Sequence, residues 1–484
     1  MRFSLSVVSA LSLSGCLISH NMGGYGVTPG GVQDMNHARE LIESGQIPDH
    51  TAYAAEGLFS EHDLPISGAP CAQDLCPRGS VAHHQNLESG RGEALFQLGF
   101  GTSLAEGNLV RPDLNLAVAI DISGSMEGEP LDRSKDALIE LIGQLGPADE
   151  MALIAYGDRA KLVAPLRPMD QAGKDALIEA VQGLESHGST YMEAGMELAF
   201  AQLDRAPTSL DRHSRVFLLT DAQPNLGMTG PESFAGLTRD AANRDIALTV
   251  WGVGMNLGSE LVQTISTIRG ANAYHFGDVQ DMEARVRDGF DLMVTPVADD
   301  LEVVATPADA LQIEASWGVP VDPAMTQVEL GASTLFFSDN EGGMGVTLSG
   351  LGDGVRSGDL ALEDMPETVA SLVLSWTAPD GTAHLSELNV HWDPASTYDD
   401  GVTAASDIGP YRMAVLIDEI QALDAAADFC LGRRSQEEAI AVIDSARARL
   451  QDRSDDLEDA ALQVEADLLA SLIENVEAGP QRCH

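Results

Sequence analysis

The 484-residue chain is predicted to be an α/β protein: a doubly wound, mostly parallel sheet, followed by a β-sandwich-like module and a C-terminal helical segment. Three observations predict this. Between Pro112 and about Val294, runs that are apolar throughout alternate with stretches of helical periodicity, the pattern of strands covered on both faces by crossover helices. After residue 297 the pattern changes to short alternating runs parted by Gly and Asp turns, as in an antiparallel sandwich. From 408 to 476, apolar residues recur at spacings of three and four, as in helices.

Taken in order, the chain begins with Arg2, an apolar run from Phe3 to Leu13, and Leu13-Ser14-Gly15-Cys16. The run is shorter than the roughly 18 residues a bilayer span requires, so residues 1–15 read as a secretory signal. The ending resembles the bacterial lipoprotein cleavage box, which implies lipidation at Cys16. Leu17, not Asp, after that cysteine favours delivery to the outer membrane of a Gram-negative cell, on its periplasmic or surface face. The expected location is extracytoplasmic and lipid-anchored. Residues 16–110 then start as a lipid-anchored tether, as in Met22-Gly23-Gly24-Tyr25-Gly26, and continue as a segment with one short helix over 34–44 and otherwise no assigned structure.

Five cysteines less Cys16 leave Cys71, Cys76, Cys430 and Cys483, an even number suited to an oxidising compartment. Three disulfide pairings are open, among them Cys71 with Cys76 and Cys430 with Cys483. An alternative places Cys71, Cys76, His83 and His84 around zinc, against which stand the adjacent histidines and a spacing unlike a standard finger.

Within 111–294, strands are expected at Leu114 to Ile120, Met151 to Tyr156, Arg215 to Thr220, Ile246 to Val253 and near Tyr274. Helices are expected at 130–145, 172–184, 192–203, 233–243 and 280–292. Ligands of such a sheet bind at the carboxyl ends of its strands. There the first strand runs into Asp121-Ile122-Ser123-Gly124-Ser125, Thr190 precedes a helix, and Asp221 directly follows a strand. Two carboxylates and three hydroxyls are hard oxygen donors too few to surround Ca²⁺, and they suit Mg²⁺ or Mn²⁺, which keep some of their water.

Asp121, Ser123, Ser125, Thr190 and Asp221, in that order and on those elements, resemble the metal-ion-dependent adhesion site of a von Willebrand factor type A domain. The resemblance implies that Ser123, Ser125 and, in the high-affinity form, Thr190 touch the metal, with Asp121 and Asp221 holding its waters and outer shell. It further implies that an Asp or Glu of a protein partner completes the coordination, so that binding requires the ion.

The module over 295–395 is expected to hold strands near Leu301 to Ala305, Gln327 to Leu330, Gly345 to Leu348 and Ser371 to Trp376, with Trp376 and Trp392 as core aromatics. The helical region over 405–479 is expected to carry its acids on a solvated face, with Arg433 and Arg434 as local counter-charge.

Charge and motifs exclude other classes. With 27 basic against 75 acidic side chains, and Lys135, Lys161 and Lys174 the only lysines, the formal charge is −48. Such a surface repels nucleic acid and anionic membrane, leaving the lipid as the expected membrane contact. No nucleophile elbow, zinc-protease motif, phosphate loop or dinucleotide fingerprint occurs; Gly252-Val253-Gly254 reads as a turn and His187 has no nucleophile to serve. No catalytic residues, enzyme activity or small-molecule substrate are expected. The leading reading is cation-dependent protein binding in the cell envelope. The alternative is an envelope scaffold in which the metal is incidental.

Overall fold

The computed structural model describes residues 26–71, 75–103, 109–206, 212–221, 224–253, 264, 268–276, 279–318, 328–352 and 358–483. Residues 1–15, Cys16, the Met22 to Tyr25 start of the tether, Gly254 and Gln327 lie outside them.

The chain opens with β1 (Gly26–Pro29), β2 (Gly31–Val32), α1 (Asn36–Glu43), α2 (Ala55–Glu61) and a hairpin of β3 (Cys76–Gln85) and β4 (Gly92–Gly101). The α/β part follows as β5 (Asp113–Asp121), α3 (Glu129–Gln144), β6 (Glu150–Tyr156), β7 (Ala160–Pro168), α4 (Gln171–Gln182), α5 (Met192–Leu203), β8 (Arg212–Thr220), α6 (Pro231–Ala242), β9 (Ile246–Val253), β10 (Ala271–Phe276) and α7 (Val279–Val294). Among the described residues its strands form one sheet in the order β2-β10-β9-β8-β5-β6-β7. Every neighbour pair is parallel except β6 with β7.

Alternation explains why β5 is apolar throughout. Leu114, Leu116, Val118 and Ile120 pack on one face with Leu138 and Leu141 of α3 and Phe290 of α7. Ala117 and Ala119 pack on the other with Met196 and Phe200 of α5 and Phe234 of α6. From β5 the chain moves through α3 to β6 on one side, while β8 takes the other side. The gap between β5 and β8 is therefore the point where strand order reverses, the place where open α/β sheets bind ligands.

The remaining elements are β11 (Pro296–Pro307), β12 (Leu311–Trp317), β13 (Val328–Ser338), β14 (Met344–Gly350), β15 (Thr368–Thr377), β16 (Ala383–His391), β17 (Tyr398–Asp399), β18 (Thr403–Ala405), α8 (Ile408–Cys430), α9 (Gln436–Leu457) and α10 (Ala460–Ala478). Two antiparallel sheets, β1-β13-β11-β15-β16 and β12-β14-β4-β3-β18-β17, face each other over a core that includes Phe96, Leu98, Val303, Val346, Leu372, Trp376 and Trp392. The sandwich is thus not confined to 295–395. The segment over 16–110, expected to start as a tether and left without assigned structure apart from a helix over 34–44, supplies three of its strands and one strand of the α/β sheet. Helices α1 and α2 pack with α8 to α10 in a further core.

Cys71 pairs with Cys76 and Cys430 with Cys483, at Cα separations of 6.0 and 5.6 Å. These bonds consume the thiols of the zinc alternative. His83 instead contacts the Leu360 carbonyl at 2.7 Å, and His84 contacts Thr403 and Asp418 at 2.9 and 3.1 Å. Among the described residues no group of three or more His, Cys, Asp or Glu is arranged to hold a metal, and no helix is long and apolar enough to cross a membrane. Arg433 and Arg434 pair with Asp428 and Glu88 at 3.4 and 2.9 Å.

One correction concerns the helical acids. Asp418, Glu419 and Glu465 are buried, not on a solvated face. Asp418 is matched by Arg449 at 3.0 Å and His84 at 3.1 Å; Glu465 meets Arg39 of α1 at 2.6 Å and His62 at 3.1 Å.

Burial also holds Glu93 of β4 protonated longer than usual: desolvation, then the charge of Glu314, raises it from 4.5 to about 7. A carboxyl whose folded value is raised binds more protons when folded, so it contributes stability at acid pH that is lost as pH rises from about 4.5 to about 7. The wild type is therefore expected to show a larger fall in melting temperature between pH 5 and pH 8 than Glu93→Gln. Scanning calorimetry of both at the two pH values checks this, and equal falls would refute it.

Candidate metal centre

The loops at the carboxyl ends of β5 and β8 hold the predicted oxygens. Asp121 ends β5 and is fully buried. Its carboxylate accepts the Ser123 backbone N–H at 2.8 Å and the Thr220 hydroxyl at 3.1 Å, which fixes the turn that follows. That turn sets the Ser123 and Ser125 hydroxyls 3.0 Å apart, and Ser125 donates to Asp221 at 2.9 Å. Asp121, Ser123, Thr190 and Asp221 are all buried, whereas Ser125 is exposed and forms the open side.

Thr190 is brought in by backbone contacts rather than by the sheet. The 187–190 segment is clamped to the first loop by His187 N–H to Ile122 carbonyl at 2.6 Å and Gly124 N–H to Gly188 carbonyl at 2.9 Å. Gly188 has φ +86°, and a side chain there would also meet Asp158, whose carboxylate accepts the Ser189 N–H at 2.8 Å. On the other side, Asn225 accepts the Thr190 N–H through its side chain at 2.9 Å and returns its own N–H to the Thr190 carbonyl at 3.1 Å. Three chain segments are thereby locked around one spot.

The electrostatics of the spot favour a cation. Desolvation raises Asp121 to about 6, with a further push from Asp221, and desolvation raises Asp221 as well. Two like charges in a buried place are costly unless a positive charge joins them, and no Lys or Arg pairs with either among the described residues. Two carboxylates and adjoining hydroxyls are also the hard donor set that Mg²⁺ or Mn²⁺ accepts. The residues present therefore fit such an ion.

Sequence reasoning missed the supporting groups. Thr220, Asn225 and Asp158 hold Asp121, Thr190 and Ser189, and the one available signal was Thr220 immediately before Asp221. His187 is exposed, its ring on the Glu185 carbonyl at 3.1 Å, with no nucleophile beside it.

Residues 115–288 match the von Willebrand factor type A domain family, and this part of the chain is such a domain. The chain is 26% identical over 209 residues to inter-alpha-trypsin inhibitor heavy chain H1 of Mesocricetus auratus, covering 42% of this chain and 23% of that protein. It is 33% identical over 144 residues to an uncharacterised protein of Synechocystis, covering 30% of this chain and 33% of that one. The chain thus spans 23% and 33% of these relatives' lengths. A solved structure, von Willebrand factor type A from Catenulispora acidiphila, shares the fold with TM-score 0.50 and 17% identity over 81% of this chain and 89% of that one. That likeness reaches well beyond residues 115–288. Domains of this type commonly mediate metal-dependent protein binding or adhesion.

Proposed function

We propose that the chain is an extracytoplasmic, lipid-anchored binding protein that captures a protein partner through a divalent cation at the β5/β8 site. The observation that carries the reading is the convergence of Asp121, Ser123, Ser125 and Asp221, joined by contacts of 2.8 to 3.0 Å at the sheet's switch point. Ser123, Ser125 and Thr190 would hold the ion, with Asp121 and Asp221 neutralising it and orienting its water. When bound, Mg²⁺ or Mn²⁺ supplies an open coordination position for an Asp or Glu of the partner. The protein's own contribution is to keep the two carboxylates dry and fixed while leaving Ser125 open to solvent.

Two features support the location. Leu13-Ser14-Gly15-Cys16 resembles the lipoprotein box, and two disulfides suit an oxidising compartment. The acidic surface, at −48, repels acidic partners except where the cation sits.

The test is an affinity capture from envelope extract with the mature chain as bait, in Mg²⁺ or in chelator. A partner is expected in Mg²⁺ alone, and it is expected to be lost with Asp221→Ala. Capture that persists in chelator and depends on residues 297–484 would replace this reading with the scaffold one.

A further inference from the structure

A second cavity, of about 350 Å³, lies at the opposite end of the α/β sheet, where the amino ends of β8 and β9 meet the sandwich turn at Pro379 to Gly381. Arg215 on its wall stands six residues before Asp221 along β8, about 20 Å at roughly 3.3 Å per residue. Arg215 of β8 lines it and is only 2% exposed.

Arg215 is a buried cation in no ion pair among the described residues, with Asp299 the nearby acid whose charge it feels. Its Nη1 donates to Thr249 Oγ1 at 2.8 Å and Asn272 Oδ1 at 3.3 Å, both neutral, and the guanidinium lies 5.4 Å from the centroid of the Phe336 ring. Among the described residues it forms no ion pair, and its Nε and Nη2 donate to no described group. The other arginines of the cavity are committed: Arg269 to Asp299 at 3.2 Å, and Arg212 to Asn115 at 3.1 Å and the Ala148 carbonyl at 2.7 Å. Burial lowers Arg215 to about 10, and the opposing charges of Tyr274 and Asp299 offset that desolvation only in part.

An Nε/Nη2 edge offers two parallel N–H donors, the geometry that receives a carboxylate in bidentate fashion. The walls beside it, including Ala242, Ile246 and Pro296, are apolar. We propose that this cavity binds a small carboxylate with a compact apolar body, its carboxylate on Arg215 and its body against those walls. The acids around it do not fill that role: Asp299 is held by Arg269 and the Thr334 hydroxyl, and Asp245 and Asp380 are exposed at the mouth.

The experiment is a thermal-shift and saturation-transfer titration of the full mature chain with benzoate, acetate and inorganic phosphate at fixed ionic strength, in Mg²⁺ and again in chelator. Benzoate is expected to bind saturably in both, more tightly than acetate, which separates this cavity from carboxylate binding at the cation site. Arg215→Met is expected to weaken benzoate at least tenfold, and Ala242→Phe, which fills the cavity without touching the arginine, to do the same. Binding seen only in Mg²⁺, binding of phosphate alone, no saturable binding of any carboxylate, or benzoate affinity unchanged in either folded variant would each overturn the proposal.

Discussion

Asp121→Asn is expected to lower divalent-ion affinity by about 100-fold, the upper range for losing a group that orients metal ligands, while leaving the metal-free fold intact. Asn keeps an oxygen for the Ser123 N–H, and its amide can donate to the Thr220 hydroxyl, so neither partner is left unsatisfied. What disappears is the charge, and Asp121 carries that charge in full burial beside Asp221. In chelator the variant should therefore melt at the wild-type temperature or above it. An ion at 100 times its dissociation constant stabilises the wild type by about 2.7 kcal/mol. At the same concentration the variant would be near half-saturation and gain only about 0.4 kcal/mol. Calorimetric titration with Mg²⁺ and Mn²⁺, with melting curves in metal and in chelator, checks both halves. Equal metal-induced stabilisation of the two proteins would mean the ion is not held at this loop.

The α/β part was legible because its burial pattern is written residue by residue. A strand covered on both faces has no polar position to spare, so β5, β6, β8 and β9 stand out as apolar runs. The exception is β7, which sits at the edge, is half-exposed, and ends at Pro168; Lys161 and Arg167 interrupt its apolar run. The oxygens of the site were legible for a related reason. A sheet of this kind presents strand ends to solvent, so polar residues directly after an apolar run have few structural uses.

The N-terminal segment was illegible because its partners are remote. β3 reads Cys-Pro-Arg-Gly-Ser-Val-Ala-His-His-Gln, and only its later half is buried. Its strand character comes from β4 beside it and β18, more than 300 residues away, through pairs such as His84 with Thr403. No local window contains that information. The buried acids of the helices were hidden in the same way. α8 is apolar nearly all round, and the groups that admit Asp418 and Glu419 to its core, such as His84 and Arg39, come from the N-terminal segment, more than 300 residues away in sequence.

Arg39 is where that dependence is greatest, and Arg39→Met is expected to destabilise the protein by roughly 3–5 kcal/mol, the range for removing one partner of a buried ion pair. Its guanidinium reaches Glu61 at 2.7 Å and Glu465 at 2.6 Å, joining α1 and α2 to α10. Glu419 lies fully buried in the same cluster, where desolvation, and then the charge of Glu465, raises it well above its ordinary value. Desolvation opposes ionisation of Glu465 too, but the His62 hydrogen bond and the Arg39 charge outweigh it and bring it below its ordinary value. Met fills much of the volume, so the loss is electrostatic: Glu61 and Glu465 are left with His62 and the more distant Arg285, 3.9 Å from Glu61, as compensation. Desolvation already raises Glu61 above its ordinary 4.5, and without the Arg39 charge both carboxyls move up from where they stand; a raised carboxyl loses its contribution to stability as pH climbs through its folded value. The deficit of Arg39→Met should therefore be larger at pH 8 than at pH 5. Glu419→Gln, which keeps the shape of a side chain whose ionisation burial opposes, should stay within about 1 kcal/mol of wild type. Denaturant unfolding at both pH values decides the matter. A loss below about 1 kcal/mol for Arg39→Met, or one independent of pH, would show that the cluster is held by packing and not by this charge.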